Sequence, residues 1–266
     1  MSANQHALIE IRDYLRNTYF QYYRIPVHLA WRDQRQRFSQ SAIGPFWATL
    51  SILLTSIVLG LVWGILFGVD IWFQLPFTSS GITAWGLISG SLVEAPSHFI
   101  SGKGLLLNTK AVGPAIVSRH LLARHVLNFL FAAPVPIALS FIGGQLTWSV
   151  VLLPLALALV AIALYPYCVL LGLLGVRLRD LEHFFPSIFL LLFMVTPIFF
   201  QQSQLGKAQW IATFNPFFWL VEMIRRPLFG QNLSAMNFSV TLLVFVIGFV
   251  GLRIAGQSLS RIKTYL

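Results

Sequence analysis

The feature that most constrains this chain is a succession of apolar runs near residues 44–68, 76–95, 121–142, 148–175, 184–200 and 237–256. A helix needs roughly 20 apolar residues to cross the hydrocarbon core of a bilayer, because no water is present there to satisfy exposed backbone groups. Six such runs and their connections use the whole 266 residues, which predicts an all-α polytopic membrane protein with six transmembrane helices. Hydrophobic residues make up 57% of the chain and charged residues 10%, against about 45–50% and 25% in soluble domains. No stretch remains for a soluble catalytic domain. The fifth run is at the lower limit for a perpendicular span, so it is expected to tilt or to extend over 181–202. Pro134, Pro136, Pro154, Pro166 and Pro197 fall inside apolar runs, where each removes a backbone donor and kinks a helix.

Lys and Arg set the orientation. Six precede the first span, four belong to the connection between the second and third, two lie between the fourth and fifth, and three belong to the end of the chain. The other three, Lys207, Arg225 and Arg226, lie between the fifth and sixth spans, on the opposite side. The positive-inside bias places both termini in the cytoplasm and requires an even number of spans. The expected organisation is a single membrane domain over 1–266, with a cytoplasmic interfacial segment at 1–43, the membrane region at 44–256 and a cytoplasmic tail at 257–266. The formal net charge of +10 comes from short clusters beside apolar runs, which suits a membrane surface and not nucleic acid. A single cysteine, Cys168, excludes an internal disulfide and a multi-cysteine metal site. Residues 1–25 alternate polar and apolar positions and contain no signal-peptide core, so the first span is expected to direct targeting.

Over residues 6–25, Leu8, Ile11, Leu15, Tyr19 and Tyr22 recur at helical spacing opposite Glu10, Arg12, Asp13, Arg16, Asn17 and Arg24. This predicts an amphipathic helix lying in the interface, ended by Pro26; the alternative is a solvated helix packed on protein. The stretch that follows contains Arg32, Asp33, Arg37, Phe38, Ser41, Gly44, Pro45 and Trp47 in that order. Arginines there suit anionic headgroups, and the Gly-Pro step permits a turn into the bilayer.

That order resembles the entry to the first span of bacterial ABC exporter permeases of the polysaccharide and polyol-phosphate class, which serve O-antigen, capsule and teichoic acid. Two further stretches resemble the same family. One is Arg177-Leu-Arg-Asp180, followed by a span containing Thr196-Pro197; the other is Asn215-Pro216 followed by Glu222 and Arg225. The resemblance implies a homodimeric permease of a polysaccharide exporter in the bacterial inner membrane. Two separate ATPase subunits would carry ATP and Mg, and this chain would bind no cofactor. It also implies a coupling helix in the loop from His98 to Arg124, with Lys103, Asn108 and Lys110 as docking candidates. Arg32, Arg35 and Arg37 become candidates for the headgroup of a lipid-linked glycan.

Three groups of residues invite a functional reading beside a structural one. Glu222 precedes Arg225 and Arg226 by three and four residues on one helical face, within re-entrant or external helices between spans five and six. With Asn215 as cap, the group is either the outer mouth of a channel or an ion pair stabilising a partly submerged helix, and the second is favoured. Phe185, Phe189 and Phe193 form a stripe on the fifth span that lines a sugar path or packs as ordinary core. Glu94, at the end of the second span, is a buried-charge candidate with no partner legible in the sequence.

The chain has no Walker-type phosphate loop, no His-Glu-x-x-His and no recognisable Ser, His and Asp set, so no catalytic residue and no metal ligand is assigned. Asn232-Leu-Ser and Asn237-Phe-Ser match a glycosylation pattern too short to carry weight. The leading expectation is a permease for lipid-linked polysaccharide. The alternatives are an ABC permease for a drug or small lipid, a membrane-embedded polyprenyl-phosphate transferase, an ion-driven carrier and a structural subunit. The transferase is disfavoured because Asp33, Asp180 and Glu182 are scattered among arginines, and the carrier because mid-span acidic residues are lacking.

Overall fold

The computed structural model describes residues 25–37, 39, 44, 46–102 and 113–259 of the chain. Most of the 6–25 segment, the coupling-loop residues Lys103, Asn108 and Lys110, and the last residues of the tail lie outside them. Among the described residues the fold is entirely helical. In chain order the helices are α1 (25–37), α2 (Phe46–Phe67), α3 (Ile71–Val93), α4 (Ala95–Ser101), α5 (Gly113–Ala132) and α6 (Pro134–Ile142). They continue with α7 (Leu153–Arg177), α8 (Leu181–Val195), α9 (Gln209–Phe214), α10 (Pro216–Leu228) and α11 (Ala235–Leu259). Short 3₁₀ turns cover Trp148–Leu152 and Gln202–Ala208.

Among the described residues, four stretches are long and apolar enough to cross a membrane: Thr49–Phe67, Pro114–Ile142, Trp148–Arg177 and Ala235–Ala255. Prolines shape these stretches where the sequence places them. Pro134 opens α6 directly after α5, so one long stretch is built from two helices that meet at Ala133. Pro154 occupies the first turn of α7, where its missing N–H costs no hydrogen bond, and Pro166 lies in that helix's interior. Pro26 stands in the first turn of α1, where its missing N–H costs no intrahelical hydrogen bond.

α3 is the helix around which the others are arranged; α2, α5, α6, α7, α8 and α10 all pack against it. Its sequence is rich in small and polar residues, with Gln74, Thr78, Ser79, Ser80, Thr83 and Ser91 all buried. The hydroxyls of Ser79, Ser80, Ser89 and Ser91 donate to carbonyls three or four residues back, which satisfies them inside the helix and keeps its surface narrow. Small side chains then let neighbouring helices approach closely, as in membrane bundles generally. The core beside it contains Leu87, Ile88, Leu121, Leu164, Leu220 and Ile224, all essentially inaccessible. α2 and α11 lie at the periphery and expose long apolar side chains, including Ile65, Leu66, Leu242 and Ile254.

The fifth apolar run requires correction. α8 starts at Leu181 and stops at Val195, because Thr196 turns to an extended conformation ahead of Pro197. Its 15 residues are roughly 22 Å long, short of the roughly 30 Å hydrocarbon core. The apolar composition continues through Phe199 and Phe200, but the helix does not.

A helix-end lock, a polar cluster and an apolar cleft

Several of the residues singled out in the sequence, Glu94, Phe189, Phe193, Asn215, Glu222, Arg225 and Arg226 among them, collect in three places along α3. The first forms where α8 breaks. Asn215 accepts a hydrogen bond from the Phe217 N–H at 2.9 Å and so caps α10, with Pro216 at the first helical position. The amide nitrogen of the same side chain donates to the Thr196 hydroxyl at 2.9 Å. The Thr-Pro pair and the Asn-Pro pair, 19 residues apart in sequence, therefore meet as one joint.

Arg225 completes that joint from the far end of α10. Its guanidinium donates to Glu222 Oε1 at 2.7 Å, to the Pro197 carbonyl at 3.1 Å and to the Ile198 carbonyl at 3.1 Å. These are carbonyls that the broken helix leaves without partners, so a buried cation serves as their donor. The Arg225 side chain is 3% exposed, and its Cζ lies 3.9 Å from the centre of the Phe77 ring on α3. Gly81 makes this approach fit: a Cβ there would collide with the guanidinium and with the Ile198 carbonyl. Arg226 shares the same carboxylate less closely, with Nε 3.6 Å from Glu222 Oε2. The structural reading of Glu222 and Arg225 thus has a specific content: the pair fastens α10 to the end of α8 and to α3.

The second place is the opposite, C-terminal end of α3. Glu94 forms an ion pair with Arg124 of α5 and lies 3.3 Å from His125 Nε2. Those are the partners the sequence did not disclose, and at 45% exposure the Glu94 side chain is half-buried, not deeply buried. Beside it, Asp33 of α1 meets His120 Nε2 at 2.9 Å, and His120 Nδ1 lies 3.1 Å from His98 Nε2 on α4. Gln34, buried on α1, donates to Asn128 of α5 at 2.6 Å. This cluster ties α1, α4 and α5 to the end of α3. Burial, with the neighbouring His120 adding to it, lowers the His98 imidazole from 6.5 to about 4, against the opposing pull of Asp33. The cluster is not legible in the sequence because its members come from α1, α4, α5 and the end of α3 and follow no shared periodicity.

Of the arginines on α1, Arg32 and Arg35 are exposed, and Arg32 is 3.9 Å from Asp33. Arg37 is also exposed, at the last turn of the same helix.

The third place is an apolar cleft of about 420 Å³ between α2, α3 and α8. Phe189 and Phe193 line it together with Trp85, Ile52 and Leu190, and Glu94 stands at one end. Trp85 lies 6.1 Å from Phe189 and 5.7 Å from Phe193. Phe185 is not part of the lining; it packs edge-on against Phe184 and Phe189. The stripe is thus divided, with two rings on the cleft and one in packing. Among the described residues there is no group of three or more His, Cys, Asp or Glu arranged to hold a metal ion.

Comparison with known proteins matches this arrangement to a family. The chain is similar to two Klebsiella pneumoniae proteins named O-antigen export system permease protein RfbA. One is 26% identical over 226 residues, covering 82% of this chain and 84% of the relative. The other is 25% identical over 235 residues, covering 86% and 87%. A Myxococcus xanthus protein of the same name is 27% identical over 190 residues, covering 69% and 71%. The model of the ABC-2 type transporter family matches residues 27–229, a range that begins in α1, takes in all three places described above and ends just after α10. This chain is a membrane protein and belongs to the ABC-2 type transporter family.

Proposed function

We propose that this chain is the permease subunit of an ATP-driven exporter that moves a lipid-linked polysaccharide outward from the cytoplasmic side of the bacterial inner membrane. The observation that carries the reading is the similarity to O-antigen export permeases over 69–86% of the chain. Family membership implies an ATPase subunit as partner, which would bind ATP and Mg. In the proposed assembly two copies of this chain pair with two such subunits.

Six spans with both termini cytoplasmic remain the topology that best accounts for the charges. α3 has 23 residues, roughly 34 Å of helix, enough to cross; its modest apolarity follows from burial among other helices instead of in lipid. α8 would be completed by the extended Thr196–Phe200 segment, whose backbone is partly satisfied by Arg225 and Gln74. On this topology the cluster around Asp33 and Glu94 faces the ATPase, as does the coupling loop with Lys103, Asn108 and Lys110. Arg32, Arg35 and Arg37 then stand at the inner headgroups, where each would attract anionic lipid or a diphosphate-linked cargo. The cleft bearing Phe189 and Phe193 is the segment of path this protomer contributes, and the Glu222–Arg225 lock lies towards the outer face.

The cleft's apolar lining would also accept a small amphiphile, so the test must separate the two cargo classes. The chain is reconstituted with a Walker-type ATPase subunit that co-purifies with it, and ATP hydrolysis is measured with lipid-linked glycan or with small amphiphiles. Stimulation by glycan lipid is the expected result. Stimulation by amphiphiles alone would replace polysaccharide with a drug or small lipid as cargo.

A further inference from the structure

A second cleft, of about 240 Å³, opens beside the Glu222–Arg225 lock, at the end of α3 remote from α1. One wall is apolar: Phe73 and Phe77 of α3 stack at 6.0 Å, and Phe229 meets them edge-on at 5.3 and 5.9 Å. The facing wall carries Gln201, Gln202, Ser203 and Gln231. The Gln201 backbone is tied to the turn that follows it, its N–H donating to Gln204 Oε1 at 2.8 Å and its carbonyl accepting from the Gln204 N–H at 3.0 Å, so its side-chain amide is the group offered to the cleft. The Gln202 amide nitrogen is given to the Thr213 hydroxyl at 2.9 Å, which leaves its carbonyl oxygen as acceptor. Ser203 and Gln231 are exposed, and neither side chain has a hydrogen bond to another described residue.

The charge in this cleft does not balance. Arg225 and Arg226 share the single carboxylate of Glu222, and Arg225 has the closer contact. The Arg226 side chain is 28% exposed; its Nη1 donates only to the Asn232 carbonyl, at 3.5 Å, and its Nε lies 3.6 Å from the Glu222 carboxylate, beyond hydrogen-bond distance. One positive charge is therefore left over in a partly buried site, and an anion is the ligand that neutralises it.

We propose that this cleft is a binding subsite for one acidic sugar unit, carrying a carboxylate or phosphate, of the exported glycan. A sugar ring has an apolar C–H face and a rim of hydroxyls, which correspond to the phenylalanine wall and to the mixed donors and acceptors opposite. Arg226 pairs with the acidic group. The volume is below the roughly 300–1,000 Å³ of pockets for drug-sized ligands, so the cleft holds a single ring and not a run of polymer. The assignment rests on the proposed glycan export.

The test uses the full chain in nanodiscs of phosphatidylcholine, with digalacturonic acid, galactobiose and inorganic phosphate as probes and saturation-transfer NMR and calorimetry as readouts. Digalacturonic acid should bind about tenfold or more tighter than galactobiose, the size of a charge-assisted hydrogen bond. Arg226→Gln should bring it to the level of galactobiose, and Arg226→Lys should restore part of the difference. If Arg226→Gln fails to fold, Gln231→Ala and Ser203→Ala, both at exposed positions, should each weaken digalacturonic acid severalfold. Equal binding of the two disaccharides, or no effect of these substitutions, overturns the proposal. Competition by inorganic phosphate at the concentration where digalacturonic acid binds, or loss of binding when phosphatidylglycerol is added, overturns it in favour of a bare-anion or headgroup site. ATP hydrolysis stimulated by glycan lipid in a complex that does not bind digalacturonic acid removes the subsite and leaves the export reading standing. Binding of digalacturonic acid in a complex that no glycan lipid stimulates removes the export reading instead.

Discussion

Two groups of charged side chains hold α3 in place, one beside its first half and one at its C-terminal end, and they solve the same problem by different means. At the first, Arg225 is 3% exposed and Glu222 11%, and the arginine's donors go to fixed backbone carbonyls of a broken helix as well as to the carboxylate. At the second, Glu94 is 45% exposed and Asp33 30%, and the partners are side chains, three of them histidines. The first group is a fixed joint, since a buried ion pair that also satisfies backbone groups has no alternative arrangement at similar energy. The second remains in contact with water, so its charges are screened and its histidines can change protonation.

Breaking the fixed joint should have the largest effect. Arg225→Met leaves the buried Glu222 carboxylate with only the more distant Arg226 and leaves two carbonyls without donors, a loss of about 3 kcal/mol. Thermal unfolding in detergent should show a collapse of stability, and Glu222→Gln, which keeps a hydrogen-bonding side chain, a smaller one. Equal tolerance of both substitutions would show that the joint is no tighter than the polar cluster.

Acid should act on the other group. His98 is held at about 4, below the 6.5 of an unfolded imidazole, so the folded chain binds fewer protons between those values. The stabilisation is complete above about pH 6.5 and is lost as the pH falls through about 4, amounting to at most about 3 kcal/mol. Asp33, His120 and His125 face the same imidazole, and Asp33 opposes the shift. Melting temperatures from pH 7 to pH 4 should fall in the native chain and fall less in His98→Gln.

The two groups also differ in how far the sequence disclosed them. The partners Glu222, Arg225 and Arg226 were legible because three- and four-residue spacing on a helix brings side chains together. That Arg225 would reach Pro197 and Ile198 was not, because the contact depends on where α8 stops. The fifth run reads as apolar through Phe200, so composition alone overran a break that Thr196-Pro197 marks. The second apolar run reads from about residue 76, yet the helix begins at Ile71 and buries the polar Gln74 and Pro76. The histidine cluster had no sequence signal of its own: Asp33, His98 and His120 come from three helices, and only the tertiary fold sets them 2.9–3.1 Å apart.

Smaller effects should sharpen the contrast. Asn215→Ala removes the α10 cap and the link to Thr196 together, a loss of about 1 kcal/mol or somewhat more that a modest drop in melting temperature would record. Glu94→Gln should cost least. Its ion pair with Arg124 is half-exposed, where such pairs contribute up to about 1 kcal/mol, and a glutamine still offers an oxygen to Arg124 and to His125. Stability should therefore change little, and the change should shrink further in high salt, whereas the loss from Arg225→Met should be insensitive to salt because ions do not reach a buried pair. If Glu94→Gln proved as damaging as Arg225→Met in both low and high salt, the distinction between a fixed joint and a hydrated cluster would fail, and the two ends of α3 would have to be regarded as equally locked.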